Sequence, residues 1–273
     1  MKKKNILLIT DFSSYGNVAL TIMIPTLNAL SIETHSLPTA LVSNTLDYGK
    51  FEIFDTTQFM CNTMKVWDLL SFKFDVICTG FIVSPMQADL IYNYCKKQNG
   101  SKIFVDPILG DEHKLYNGIT TENIIFKKKL CSIADVIVPN ITEACFLSDS
   151  SQKETYTKDE IINILDKLKK LGPNHIIITS VDIEGKKFNV LMEHKKNVTF
   201  IPYNEITVHF PGTGDLFMSI LLGYYAKNHS LCDCVYIATK LMTKIIKICE
   251  NQDNKNNGIP IEMLREDFIN EKA

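Results

Sequence analysis

Short apolar runs alternate with longer amphipathic ones along this chain, the pattern of buried strands joined by crossover helices in an α/β sheet. Residues 5–10 (NILLIT) predict a buried first strand, followed by a turn at Ser13-Ser14-Tyr15-Gly16-Asn17 and a helix over about 17–30. Residues 36–43 read as a second extended segment, 63–70 as helix, and 74–79 (FDVICT) as a strand entering Gly80. Ser84-Pro85 opens the next helix, to about 98, because proline is well tolerated at the first helical position.

Three further apolar runs end alike. Residues 102–105 stop at Asp106-Pro107, 133–138 at Pro139-Asn140, and 176–180 at Val181-Asp182. In an open parallel sheet the ligand crevice lies outside the carboxyl ends of the strands, so Asp11, Thr79, Asp106, Asn140 and Ser180 are expected on one rim. The pattern changes over 186–203, where 188–192 and 198–201 predict an antiparallel pair. After it come PGTGD at 211–215, a long apolar helix to about 227, and two more helices over about 233–250 and 260–270. Residues 251–258 are polar and loop-like. No linker rich in Gly, Pro or Ser and no internal repeat interrupts the chain, so one domain over 1–273 is expected.

Charge and cysteine usage remove whole classes. With 29 Lys+Arg against 31 Asp+Glu the net charge is −2, without the clustered basic excess that nucleic acid or an anionic membrane surface requires. Lys2-Lys3-Lys4 precedes only four apolar residues, too few for a signal peptide, and no window approaches a membrane span. The eight cysteines include no CxxC pair, which disfavours a disulfide framework or a zinc site. The six histidines show no ligand spacing, although His113 lies near a candidate phosphate loop. A reduced, cytoplasmic protein is expected.

Three short constellations could carry chemistry. Gly212-Thr213-Gly214-Asp215 precedes an apolar helix. Its glycines permit a tight turn and close ligand approach, and the helix start offers unpaired N–H groups to an anion. The plain alternative is an acidic residue satisfying a helix N-terminus. Asp106-Pro107-Ile108-Leu109-Gly110-Asp111 places two carboxylates around a turn at a strand end. That suits a hydrated Mg²⁺ shared with phosphates, or equally a strand-terminating turn. Pro139-Asn140-Ile141-Thr142-Glu143 reads first as a capping box, Asn140 at the N-cap and Glu143 three residues on. No P-loop, GxGxxG after the first strand, HExxH or GxSxG occurs.

Taken together, DPxxGD, PNxxEA and a late GTGD in this order resemble the ribokinase-like superfamily, and within it the pyridoxal (vitamin B6) kinase family. The resemblance runs from the first strand through Ser43-Asn44 and Tyr48-Gly49 to GTGDLF. It implies a three-layer α/β sandwich, a central mostly parallel sheet flanked by helices, usually in a homodimer. It implies ATP and Mg²⁺, with a monovalent cation such as K⁺ as a further candidate. Asp215 would be the general base, and Gly212, Thr213 and Gly214 the anion hole. Asn140 and Glu143 would organise Mg²⁺, Asp106 and Asp111 would serve the nucleotide–metal side, and Asp111 and Glu143 are the metal candidates. Thr179 and Ser180 match positions that contact ATP, and Tyr116 is a candidate cover for the nucleotide.

The substrate side is expected to use Asp11, Tyr15, Asp47 and Tyr48 around a B6 vitamer, with 45–58 as a lid. Two positions depart from the family pattern. Asp11 stands where many pyridoxal kinases carry Ser, and Leu46 where better-known members have Thr. The closest rival is a kinase of hydroxymethylpyrimidine or its phosphate, whose members typically carry Cys in place of the aspartate in GTGD. A non-catalytic binding protein on the same scaffold would be expected to lose Asp215 or the Asn140/Glu143 pair, and all three are present.

Overall fold

The computed structural model describes residues 4–263. In chain order the first elements are β1 (Asn5–Ser13), α1 (Leu20–Ala29), β2 (Glu33–Val42), β3 (Ile53–Asp55), α2 (Thr57–Leu69), β4 (Val76–Thr79) and α3 (Pro85–Lys97). Next come β5 (Lys102–Val105), β6 (Gly110–Asp111), β7 (Lys114–Leu115), α4 (Thr121–Cys131), β8 (Val136–Ile137), α5 (Ile141–Ser148) and α6 (Lys158–Lys169). The last are β9 (His175–Ile183), β10 (Lys186–Met192), β11 (Val198–Tyr203), α7 (Thr213–Ala226) and α8 (Leu231–Cys249). The class is α/β with mostly parallel strands, as expected. The helix expected over about 260–270 lies outside the described residues beyond the short turn Ile261–Met263. No helix among the described residues is long and apolar enough to cross a membrane.

By internal contacts the chain falls into two compact units. One comprises the chain up to Val76, Phe81–Val83 and everything from Glu205. Here β1 runs parallel to β2, and the short β3 lies antiparallel on the other side of β2. Ile6, Leu7, Leu8 and Ile9 are all fully buried, which explains the unbroken apolar run: a strand covered on both faces cannot alternate. The β1–β2 register shifts between Thr10 and Phe12, where Asp11 of β1 faces both Thr39 and Ala40, so the bulge lies on β2. Helix α1 starts at Leu20, three residues later than the pattern suggested, because 17–19 are not helical and Ala19 takes φ 49°. Asn17 bridges Gly258 and Ala19 bridges Phe12.

The other unit comprises Ile77–Gly80 and Ser84–Asn204. β5, β8 and β9 are parallel neighbours, and β10 and β11 add the antiparallel pair expected at 188–192 and 198–201. A two-residue turn at Glu184-Gly185, both at positive φ, reverses β9 into β10. Ser84 caps α3 by accepting the Gln87 N–H at 3.3 Å, with Pro85 at the first helical position. Two helices were missed in the sequence. α6 carries the capping box Thr157/Glu160 and buries Ile161, Ile164, Leu165 and Leu168, an i, i+3, i+4, i+7 stripe. α4 opens on a Thr120/Asn123 box but is lysine-rich and weakly amphipathic.

Candidate active site

The GTGD turn folds as the residue types demand. Gly212 caps α7 at φ 79°, and a Cβ there would lie 2.6 Å from the Asn17 carbonyl oxygen. Only glycine fits that position. Gly214 is different: a Cβ there would meet nothing within 4 Å. The protein does not fill the space in front of the first turn, where the leading N–H groups of a helix have no intrahelical acceptor. That open cradle fits a phosphate group.

Asp215 lies in this first turn, and its Oδ2 accepts the Ala19 N–H at 2.8 Å. Burial raises its carboxyl from 3.8 to about 6, against the opposing pull of the Ala19 amide. The result is a carboxylate that is ionised at neutral pH yet basic enough to take a proton. The remaining substrate-side candidates belong to the same unit. Tyr15 and Tyr48 stand with ring centroids 6.0 Å apart, and Tyr15 is 56% exposed. Asp47 meets His209 at 3.3 Å. Asp11, opposite the β2 bulge, accepts from the Thr10 hydroxyl at 3.2 Å. The proposed lid region contains the turn Leu46–Tyr48 and the edge strand β3.

In the other unit the DPxxGD and PNxxEA segments interlock. Asn140 accepts the Glu143 N–H at 2.9 Å and Glu143 Oε2 accepts the Asn140 N–H at 3.0 Å, a complete capping box. The second carboxylate oxygen of Glu143 reaches back to accept the Leu109 N–H at 2.8 Å, while Asn140 Nδ2 donates to the Gly110 carbonyl at 2.8 Å. The last two bonds fasten the 108–111 turn, in which Ile108 takes φ 44°. Burial pushes the Glu143 carboxyl up to about 7, backbone amides of Leu109, Asn140 and Gly110 oppose the rise, and the Asp111 charge adds to it. A buried carboxylate left under-compensated beside a second carboxylate is a donor set that fits a hydrated divalent cation.

The β6–β7 hairpin folds back so that the Tyr116 N–H donates to the Leu109 carbonyl at 3.0 Å, bringing Tyr116 beside this turn. Asp111 is exposed and accepts the Glu112 N–H at 2.8 Å. Asp106 is buried, and its N–H donates to Thr79 O at 2.8 Å. The Thr79 hydroxyl is buried and has no partner among the described residues. Thr179 bridges Asn140, and Ser180, at φ 60°, donates its N–H to Asn189 Oδ1 at 3.3 Å. Sequence reading missed Ala19, Leu109 and Asn17 here. Ala19 and Leu109 act through backbone N–H groups, which no residue type announces, and Asn17 presents its carbonyl oxygen to Gly212.

A family model described as phosphomethylpyrimidine kinase matches residues 23–260. The chain belongs to this family. Its fold superposes on a Bacteroides thetaiotaomicron protein assigned as a phosphomethylpyrimidine kinase, with TM-score 0.91 and 32% identity over 98% of this chain and 95% of that one. The orthorhombic form of that protein, at TM-score 0.90, was solved with pyridoxal. Pyridoxal kinase of Lactobacillus plantarum shares the fold, with TM-score 0.90 and 24% identity over 99% of this chain and 98% of that one. Human pyridoxal kinase is 28% identical over 180 residues, 57% of this chain. That alignment spans 55% of the human protein's length.

Proposed function

We propose that the whole chain acts as one kinase domain, transferring the γ-phosphoryl group of ATP to the 5′-hydroxymethyl group of a vitamin B6 vitamer. The observation that carries this reading is Asp215: a desolvated carboxylate, raised to about 6, in the first turn of a helix with open space before it. The vitamer is favoured by the pyridoxal in the 32% identical relative and by the curated pyridoxal kinases among the matches.

Asp215 takes the proton of the attacking hydroxyl as its oxygen bonds to the γ-phosphorus and the bond to the ADP oxygen breaks. The N–H groups at Gly212, Thr213 and Gly214 stabilise the charge on the transferring phosphoryl group. Asn140 and Glu143 hold the 108–111 turn rigid and, with Asp106 and Asp111, organise the metal–nucleotide side. Mg²⁺ supplies charge neutralisation on the phosphates when bound. Thr179, Ser180 and Tyr116 are assigned to the nucleotide. Asp11, Tyr15, Asp47 and Tyr48 are assigned to the vitamer. A homodimer is part of the proposal, with the exposed Phe59, Val66 and Leu69 of α2 as the apolar stripe available to a second copy.

A second reading, phosphorylation of hydroxymethylpyrimidine or its phosphate, is favoured by the description of the matching family model. One panel separates them: Mg-ATP turnover with pyridoxal, pyridoxine, pyridoxamine and hydroxymethylpyrimidine, with Asp215→Ala as control. Preferred turnover of a vitamer, lost in the variant, supports the B6 reading. Preference for the pyrimidine moves the substrate and leaves the base in place. Turnover of none of them overturns the reading.

A further inference from the structure

The polar stretch 251–258 is more than a connection between α8 and the chain that follows. Its turn Lys255–Asn257 reaches two segments of the same unit, the Thr45–Tyr48 turn and Asn17. The Asn256 carbonyl accepts the hydroxyl of the buried Thr45 at 2.8 Å. The Asn257 carbonyl accepts the Asn17 N–H at 2.7 Å, and Asn17 Nδ2 donates to the Ile259 carbonyl at 3.0 Å. The Tyr48 hydroxyl donates to Asn257 Oδ1 at 2.6 Å and accepts from Asn254 Nδ2 at 3.1 Å.

The fit at the backbone is close. A Cβ on Gly258 would lie 2.6 Å from the Asn17 carbonyl oxygen and 3.1 Å from that of Pro211. Gly212 packs against the same Asn17 oxygen. Asn17 is therefore gripped between two glycines, and two residues later Ala19 donates to Asp215. The turn itself is held by polar bonds more than by packing. Beside it opens a cleft of about 430 Å³ lined by Asn251, Gln252, Asp253, Asn254 and Glu262. Only the fully buried Ile259 at its end reaches the core.

We infer that Asn257 and Asn254 are positioning residues for the acceptor alcohol: they hold the Tyr48 ring, and through Asn17 the segment leading to Ala19, in the geometry the substrate meets. With its hydroxyl occupied by two asparagines, Tyr48 offers the acceptor its ring face. The acceptor pocket is thus completed by a loop more than 200 positions away in sequence from Tyr48. This rests on the assignment of Tyr48 to the acceptor side made above.

The test is steady-state kinetics of the full chain with Asn257→Ala, Asn257→Asp, Tyr48→Phe and the Asn257→Ala/Tyr48→Phe double variant. Loss of one solvent-accessible hydrogen bond predicts a rise in acceptor KM of roughly 3- to 10-fold in Asn257→Ala, with the ATP KM within about twofold. Asn257→Asp keeps the oxygen that accepts the Tyr48 hydroxyl and stays near wild type. The double variant is no worse than Tyr48→Phe alone, because that variant already removes the Asn257 bond. An unchanged acceptor KM, an equal rise in both KM values, or additive effects would overturn the inference.

Should Asn257→Ala fail to fold, Tyr48→Phe alone carries the test, with the same rise in acceptor KM expected at an unchanged ATP KM. If the wild type prefers the pyrimidine, the acceptor KM is measured with that substrate, so failure of the vitamer assignment and failure of the latch are separate results. Amide hydrogen exchange over 45–48 needs no turnover: it quickens in Asn257→Ala and not in Asn257→Asp, and equal protection in all three proteins counts against the latch.

Discussion

Replacing Asp215 by Asn should abolish most turnover and at the same time stabilise the protein. The carboxyl is raised from 3.8 to about 6, so burial costs the charged form more than the Ala19 amide returns. The difference corresponds to roughly 3 kcal/mol against the ionised folded state. Asparagine keeps an oxygen for the Ala19 N–H but adds an amide group that needs its own partner, which offsets roughly 1–2 kcal/mol. The remainder, about 1–2 kcal/mol, raises Tm by roughly 2–6 °C in a chain of this size. Loss of general-base help lowers kcat about 10²- to 10⁴-fold.

The pH dependence fixes the sign. Between 3.8 and about 6 the folded state keeps a proton that the unfolded state has released, so wild-type stability falls as pH rises through that window. The asparagine of the variant does not titrate, so its advantage is full above about pH 6 and disappears towards about pH 4. Differential scanning fluorimetry at about pH 7.5 and about pH 4.5, beside kcat/KM profiles whose acidic limb has its midpoint near pH 6, reads both consequences. A variant that melts at or below wild type at the higher pH, or that retains most of its turnover, would refute the reasoning.

The two glycines of the turn should part company. Gly212→Ala forces a side chain into φ 79° against the Asn17 carbonyl and should cost roughly 1–3 kcal/mol in urea unfolding. Gly214→Ala meets no atom within 4 Å, so it should melt like wild type while turnover falls roughly tenfold or more, as the methyl group fills the cradle. Glu143→Gln leaves the Leu109 or the Asn140 N–H without an acceptor, with a stability loss of roughly 1–3 kcal/mol and a raised KM for Mg-ATP. An unchanged nucleotide KM in that variant would remove Glu143 from the metal–nucleotide side.

What could be read from the sequence tracks the range of the signal. NILLIT, the apolar runs at 188–192 and 198–201, and Ser84-Pro85 are local patterns, and each became the expected element. The stripe and capping box of α6 were equally local and were overlooked; those of α4 are masked by its lysines. The cradle of Asp215 has a different origin. Its Ala19 partner is 196 positions away and contributes only a backbone N–H, so the segment 17–19 reads as the start of a helix when it in fact forms isolated bridges, with Ala19 at φ 49°.

Glu143 shows why a structural and a functional reading need not compete. As a capping-box residue it was the plain explanation for PNxxEA, and it does close that box with Oε2. Its other oxygen holds Leu109, 34 positions earlier, and so joins the helix cap to the DPxxGD turn. The burial that makes this double role possible is the same burial that raises its carboxyl to about 7 and leaves the pair with Asp111 short of positive charge. A capping box on the surface would have neither property. The functional content of the motif therefore lies in its depth and in the tertiary bond to Leu109, which spacing alone cannot disclose.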